Sequence, residues 1–273
     1  MASRNRVVLA GCGNMGFAML QGWLAAGRLE PSDVDVVEPV DALRERAASA
    51  GVNAVASVPE LGAGEPPTLI IVAVKPQVIG AVLPQYSQFA LAGSTIVSVA
   101  AGIGTQALQR GLGGEHPVIR VMPNTPAAVG AGMNVIYAGP GVDAEVVAFA
   151  RDLMAASGQV AVIEDESLMD AVTAVSGSGP AYLFHMIEAL TAAARNAGLP
   201  DDLAATLASQ TIYGAAVYAH KSGVEPGTLR EQVTSPNGTT AAALQVLMEN
   251  DRLTRLMTEA VDAARKRSIE LGG

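Results

Sequence analysis

The sequence predicts an α/β protein in two parts, a doubly wound sheet followed by an all-helical domain. Three observations carry this expectation. An apolar run in residues 7–10 leads directly into a G-x-G-x-x-G turn at residues 11–16. Similar runs return along the first part of the chain, each ending at glycine, proline or another small residue, with helical patterns between some of them. Near Glu164 the strand-like runs stop, and six helical patterns follow. The expected division is therefore 1–164 and 165–273.

Taken in order, residues 7–10 form the first strand, and residues 16–27 a helix with Met19, Leu20, Trp23 and Leu24 on its apolar side. Residues 33–38 make a second strand, ended by Pro39, and residues 41–51 a short charged helix that a glycine stops. Residues 68–74 are almost continuously apolar, as expected of a strand buried on both faces of a parallel sheet. Residues 94–99 and 118–122 repeat that pattern, and residues 133–138 and 159–163 add two shorter strands around a helix at 143–156. Such alternation predicts a parallel sheet, with the loops at 11–16, 74–76, 100–102 and 123–126 lining its carboxyl edge, where ligands bind in folds of this type. Beyond that, residues 166–175, 180–198, 200–223, 226–233, 239–249 and 251–271 read as helices, punctuated by proline at their starts and glycine at their ends.

The glycine turn has a specific chemistry. Gly11 makes the tight turn, Gly13 lets the backbone approach a pyrophosphate, and Gly16 allows close helix–strand packing. The free N–H groups at the following helix start, near Asn14 and Met15, face the anion. The first part is therefore expected to be a Rossmann-type dinucleotide-binding domain.

Composition narrows the function. A net charge of −9 and 4% aromatic residues argue against a nucleic-acid partner. No apolar run reaches the ~20 residues a membrane span needs, and the N-terminus has no signal-peptide pattern. A single cysteine suits a reducing cytoplasm. Together with three scattered histidines it forms no metal-ligand cluster, so no metal is expected.

Two polar segments stand out among the helices, residues 176–182 (SGSGPAY) and 234–240 (TSPNGTT). Both are rich in small hydroxyls and backbone N–H groups, and both precede a helical pattern. Such segments receive carboxylates, although Ser176, Ser178, Ser235 and Thr239 are also ordinary helix-capping residues.

Taken together, GCGNMG (11–16), AVKP (73–76), SVAAG (98–102), RVMPNTP (120–126), DAVTAVSGSGPAY (170–182) and VTSPNGTT (233–240) resemble pyrroline-5-carboxylate reductase, in order, from about Val7 to Leu271. The resemblance implies hydride delivery from NADPH or NADH to the C=N carbon of pyrroline-5-carboxylate, giving L-proline in the last step of its biosynthesis. It assigns Gly11, Cys12, Gly13, Asn14, Met15 and Gly16 to the pyrophosphate. Ala73, Val74, Lys75, Pro76, Ala100 and Ala101 border the ribose and nicotinamide, and Asn124 is a further cofactor candidate. Ser235, the Thr239 backbone and Thr240 would hold the substrate carboxylate, with the Thr240 hydroxyl as the catalytic polar group at the imine nitrogen. Glu166 and Thr173 are candidates for the pocket wall. The resemblance also implies a homodimer through the helical domain, with higher assemblies built from such dimers. Related β-hydroxy acid reductases carry a catalytic lysine where this chain reads SGSGPAY. The alternatives are a related imine or β-hydroxy acid reductase of the same architecture and a non-catalytic dinucleotide-binding regulator.

Two departures matter. Asn237 replaces the first glycine of the usual SPGGTT loop, and asparagine tolerates the left-handed backbone better than most residues. Glu38 stands after the second strand, where many relatives carry a hydroxyl or a base. A carboxylate there accepts from both ribose hydroxyls of NADH and repels a 2′-phosphate, with Arg44 near enough to compensate in part.

Overall fold

The computed structural model describes residues 5–62 and 64–272. They form two compact units. One comprises the chain up to Ser178 together with the residues from Ala264 onward, and the other is Gly179–Ala263.

The first unit is built on eight strands: β1 (Val7–Ala10), β2 (Val34–Val37), β3 (Asn53–Val55), β4 (Leu69–Val72), β5 (Thr95–Ser98), β6 (Val118–Met122), β7 (Gly132–Ala138) and β8 (Gly158–Ile163). Their order across the sheet is β3-β2-β1-β4-β5-β6-β7-β8. The helices are α1 (Asn14–Ala25), α2 (Asp41–Ala48), α3 (Ile79–Val82), α4 (Ser87–Leu91), α5 (Thr105–Leu112), α6 (Ala144–Ala155) and α7 (Met169–Val172). The sequence pattern carried β1, β2, β4 to β8, α1, α2 and α6 to within a few residues. It left out β3, a three-residue strand without a buried position, and the short helices between β4 and β6.

The sheet is not parallel throughout, which corrects the expectation. β7 pairs antiparallel with β6, and β8 then runs parallel to β7. The connection from β6 to β7 is only residues 123–131. Parallel neighbours need a crossover of a dozen or more residues, so the chain turns straight back. Between β7 and β8, α6 supplies that crossover, and direction is kept.

Sequence alternation places Val7 and Leu9 on one face of β1, and Val8 and Ala10 on the other. The first pair joins a core with Met19, Leu20 and Trp23 of α1. The second joins Ile79, Leu83, Tyr86 and Leu108. All four residues of β1 and of β4 are buried, the condition of a strand covered on both faces. Trp23 is fully buried, as the helical pattern required.

β1 lies between β2 and β4, so the winding direction reverses at the β1–β4 pair. In an open α/β sheet this reversal leaves a crevice outside the carboxyl ends of the strands. The glycine turn follows β1 there, and residues 73–76 follow β4.

The second unit contains α8 (Gly179–Asn196), α9 (Asp201–Ser222), α10 (Pro226–Gln232) and α11 (Thr239–Met248), together with the first part of α12 (Arg252–Gly272). α8 packs against α9. Gly198 and Gly223, both with positive φ, follow α8 and α9 as C-terminal stops. Few of its side chains are buried: Thr191 in α8, Ala204 and Ala208 in α9, and Leu229 in α10. No helix among the described residues is long and apolar enough to cross a membrane.

Residues 166–177 hold a second correction. The segment expected to be an interrupting loop at 176–182 is helical. A 3-10 turn at Glu166–Leu168 leads into α7 and then into a π-helical turn at Thr173–Gly177, before α8 begins at Gly179. The Ser178 N–H donates to the Thr173 carbonyl five residues back at 2.9 Å. Serine and glycine there sit in a widened turn, a form common at functional sites.

Candidate active site

The glycine turn is set by close approach. Gly11 has φ +91°, and a Cβ on it would lie 2.8 Å from Val74 Cγ1 and 2.9 Å from the Ala73 carbonyl oxygen. A Cβ on Gly16 would collide with the Gly11 carbonyl. By contrast, nothing lies within 4 Å of the Cβ position of Gly13. Two glycines therefore permit the turn, and the middle one faces open space. α1 begins at Asn14 with Gly13 as its N-cap and no capping side chain, so its first N–H groups are open to an anion.

A cavity of about 500 Å³ opens beside this turn at the carboxyl edge of β1, β2 and β4. Six of the cofactor candidates line it: Gly11, Gly13, Glu38, Ala73, Val74 and Lys75. Val40, Ser57 and Tyr86 complete an otherwise mostly apolar wall. Asn14 and Met15 instead line a neighbouring groove of about 420 Å³ with Phe17, Arg46 and Thr125. Cys12 is fully buried. Burial, the largest influence, pushes its thiol up to about 11; Arg46 pulls it down and Glu38 pushes it further up. The thiol is thus protonated near neutrality and acts as filler.

Glu38 is 5% exposed. Its Oε2 accepts from the Cys12 N–H at 2.7 Å and its Oε1 from the Val40 N–H at 3.0 Å. The side chain thereby braces the glycine turn and the start of α2 at once. Arg44 lies nearby, but donates to the carbonyls of Glu38 and Pro39 and pairs with Asp41 at 2.6 Å. Arg46, which sequence reasoning missed, donates to the Cys12 carbonyl at 2.7 Å and stacks over the Phe17 ring, 4.3 Å from its centre. Lys75 is exposed at the N-cap of the turn Pro76–Val78.

A second cluster ties the loop after β5 to the region before α7. Glu166 Oε1 accepts from the Thr105 N–H at 2.7 Å and from Arg120 Nη1 at 2.8 Å. Its Oε2 accepts from the Thr105 hydroxyl at 2.7 Å. Burial pushes the Glu166 carboxyl upward, but the bonds from Thr105 and the Arg120 guanidinium outweigh it, and the net shift is downward. The Arg120 side chain is only 7% exposed, which leaves this ion pair poorly screened. Arg120 and Thr105 were not among the sequence candidates. An arginine inside the apolar strand VIRVM was the available signal, since a buried charge requires a partner.

The remaining first-unit candidates follow β5 and β6 or lie in the helical turns after β8. Ala100 is buried and Ala101 half-buried, ahead of the turn that leads to Thr105. Asn124 is held between elements: its Oδ1 accepts from the Met133 N–H at 2.8 Å, and its Nδ2 donates to the Ser176 carbonyl at 3.2 Å. The Thr173 hydroxyl donates to the Met169 carbonyl at 2.9 Å, within the helix.

In the helical unit, Ser235, Thr239 and Thr240 share the loop that opens α11. Asn237 has φ +58°, the left-handed conformation its substitution for glycine required. The Gly238 N–H donates to the Ser235 carbonyl at 3.0 Å and closes the turn. Gly238, not a hydroxyl residue, is the N-cap of α11, and no side chain caps that helix. The hydroxyls of Ser235, Thr239 and Thr240 have no hydrogen-bond partner among the described residues. Capping therefore does not account for them. Free hydroxyls beside open helix N–H groups can bind a carboxylate.

Comparison with known proteins matches both the beginning and the end of the chain. A family model described as pyrroline-5-carboxylate reductase dimerisation matches residues 166–271. One described as NADP oxidoreductase, coenzyme F420-dependent, matches residues 6–102. Pyrroline-5-carboxylate reductase of Pseudomonas aeruginosa is 39% identical over 98% of this chain and 97% of its own. The Arabidopsis thaliana enzyme is 41% identical over 97% and 95%. The Coxiella burnetii pyrroline-5-carboxylate reductase structure superposes with a TM-score of 0.91 at 32% identity, covering 99% of this chain and 100% of that one. The Plasmodium falciparum structure with NADP bound gives 0.84 at 29% identity, over 98% of each chain. With relatives this similar along nearly its whole length, the chain belongs to the pyrroline-5-carboxylate reductase family.

Proposed function

We propose that the protein reduces 1-pyrroline-5-carboxylate to L-proline with a nicotinamide dinucleotide, the last step of proline biosynthesis. The observation that carries this reading is the pairing of two features in one family member. One is a glycine turn whose middle residue faces open space beside a 500 Å³ cavity. The other is a loop with three free hydroxyls at a helix start.

The first unit fits a dinucleotide. The N–H groups at the start of α1 bind the pyrophosphate, and residues 73–76 with Ala100 and Ala101 border the ribose and nicotinamide. When bound, the reduced nicotinamide supplies a hydride. The chain itself has to orient the imine. Ser235 and the N–H groups of Thr239 and Thr240 hold the substrate carboxylate, and the Thr240 hydroxyl donates a hydrogen bond to the imine nitrogen. As the C=N carbon gains the hydride, the nitrogen takes the proton of the Thr240 hydroxyl, which is replaced from solvent water, and the product is the secondary amine. Glu166 and Thr173 border the same reaction region in this reading. Asn124 serves the nicotinamide side by fixing the backbone around Met133 and Ser176.

The functional boundary is placed at 164/165, with cofactor binding in residues 1–164 and substrate binding and dimerisation in residues 165–273. The helical unit forms the interface of a homodimer, from which larger assemblies can be built. The reaction belongs in the cytoplasm, and neither nucleic acid nor membrane takes part.

The test is a spectrophotometric assay of the purified protein with pyrroline-5-carboxylate, following NADH and NADPH separately. Substrate-dependent oxidation is expected, and Thr240→Ala should lower kcat about a hundredfold, the usual loss for one polar group acting at the transition state. An unaltered kcat in Thr240→Ala would remove the residue from its role. No oxidation by a folded protein that binds NADH would favour the regulator reading instead.

A further inference from the structure

We infer that Glu38 makes the adenosine end of the cofactor site selective for a ribose without a 2′-phosphate, so that NADH is preferred over NADPH. This deepens the proposed function and rests on it for the identity of the cofactor.

The argument begins with where the carboxylate is fixed. Glu38 follows β2 directly and is 5% exposed, yet it lines the cavity beside the glycine turn. Backbone N–H groups of Cys12 and Val40 hold one oxygen each. A carboxylate has about four acceptor positions, and these two bonds leave two open. The group is thus already oriented to accept from a pair of vicinal hydroxyls, with no rotamer left to search.

The same placement rejects a phosphate. A 2′-phosphate would bring negative charge against a carboxylate that the cavity wall keeps from solvent. Relief would require a cation, and the structure has committed the two nearest. Arg44 is paired with Asp41 and two backbone carbonyls. Arg46 is engaged with the Cys12 carbonyl and the Phe17 ring. Lys75, exposed on the loop after β4, is the only basic residue among those lining the cavity.

Because Glu38 also braces the glycine turn, selectivity and affinity are coupled in this chain. Replacing Glu38 alone removes the repulsion and loosens the turn together, whereas Asp41→Asn frees Arg44 and leaves Glu38 in place.

Equilibrium binding to the full-length protein tests this without turnover, using 5′-AMP and adenosine 2′,5′-bisphosphate as probes of the adenosine end and NADH and NADPH as complete ligands. The wild type should bind 5′-AMP and NADH at least tenfold more tightly than their 2′-phosphorylated counterparts. Glu38→Gln should narrow that ratio to within about threefold, mainly by weakening NADH. Asp41→Asn should narrow it by strengthening NADPH, in a protein with an unaltered melting temperature. Equal or tighter binding of the 2′-phosphorylated probes by the wild type would overturn the inference, as would an unchanged ratio in Glu38→Gln. Since the probes report binding alone, these results stand apart from whether pyrroline-5-carboxylate is the substrate.

Discussion

The two units of this chain solve the problem of burial differently. In the first, β1 and β4 are buried at every position and the core closes on both faces of the sheet. In the second, α11 has no buried residue and α9 buries only two alanines. Leu183, Phe184 and Leu190 of α8, Leu207 and Tyr213 of α9, and Leu247 of α11 are all exposed. So many large apolar side chains exposed on three helices are more than a unit with its own core leaves uncovered. The contrast teaches that the first unit has a core of its own, whereas the second is half of one. The homodimer proposed above would supply the missing half through the helices.

The largest expected effect sharpens that contrast. Phe184→Glu combined with Leu207→Glu should convert the dimer to a monomer by light scattering and lower activity at least a hundredfold, while NADH still binds. Ile71→Ala in β4, a fully buried position, should instead lower unfolding free energy by about 4 kcal/mol. Its destabilisation should not vary with protein concentration. A double glutamate variant that remains dimeric would break the comparison.

A smaller effect is expected within the first unit. Glu166→Ala leaves Arg120 buried without its anion and should cost about 3 kcal/mol. The pH dependence has a definite sign. The folded-state pKa of Glu166 is held below its usual 4.5, so its contribution is complete above that value and is lost as pH falls through the lower folded pKa. Below pH 4.5 the melting temperature of the wild type should therefore fall more steeply than that of Glu166→Gln. If Glu166 contacts substrate as well as Thr105 and Arg120, Glu166→Gln will raise KM; if it only positions the loop, KM will stay constant.

The smallest effect concerns the substrate loop. Asn237 holds φ +58°, and Asn237→Ala should cost about 1 kcal/mol through the left-handed backbone. Asn237→Gly should be close to neutral. Urea denaturation measures both, and equal costs for the two would show that the asparagine side chain, not its backbone, matters.

Much of this was legible in the residues. The continuous apolar run at 69–72 identifies a buried strand because both faces are covered, and the glycine turn announces its own geometry. Strand direction was not legible in β7, since alternation is the same whichever way a strand runs; only the short connection of residues 123–131 decides it. The segment at 176–182 was read as a loop because serine and glycine commonly interrupt helices, yet a π-helical turn accommodates them. The site divides likewise. Ser235, Thr239 and Thr240 were marked by local motif, whereas the Glu166–Arg120–Thr105 cluster joins residues far apart in sequence. No local pattern encodes such a meeting. Glu38 was seen as a charge facing the ribose, but its bond to the Cys12 N–H appears only once β1 and β2 lie side by side.

The division into units has a further consequence for how the chain is made. The first unit takes in residues from Ala264 onward, and Ser268 donates to Asp170 at 2.6 Å across that closure. Residues 179–263 are synthesised in between. At about 5–20 residues per second, they separate the two parts of the first unit by roughly ten seconds on the ribosome. The nucleotide-binding half therefore emerges first and is finished last, and during that interval Asp170 and its surroundings wait for a partner that has not yet been translated.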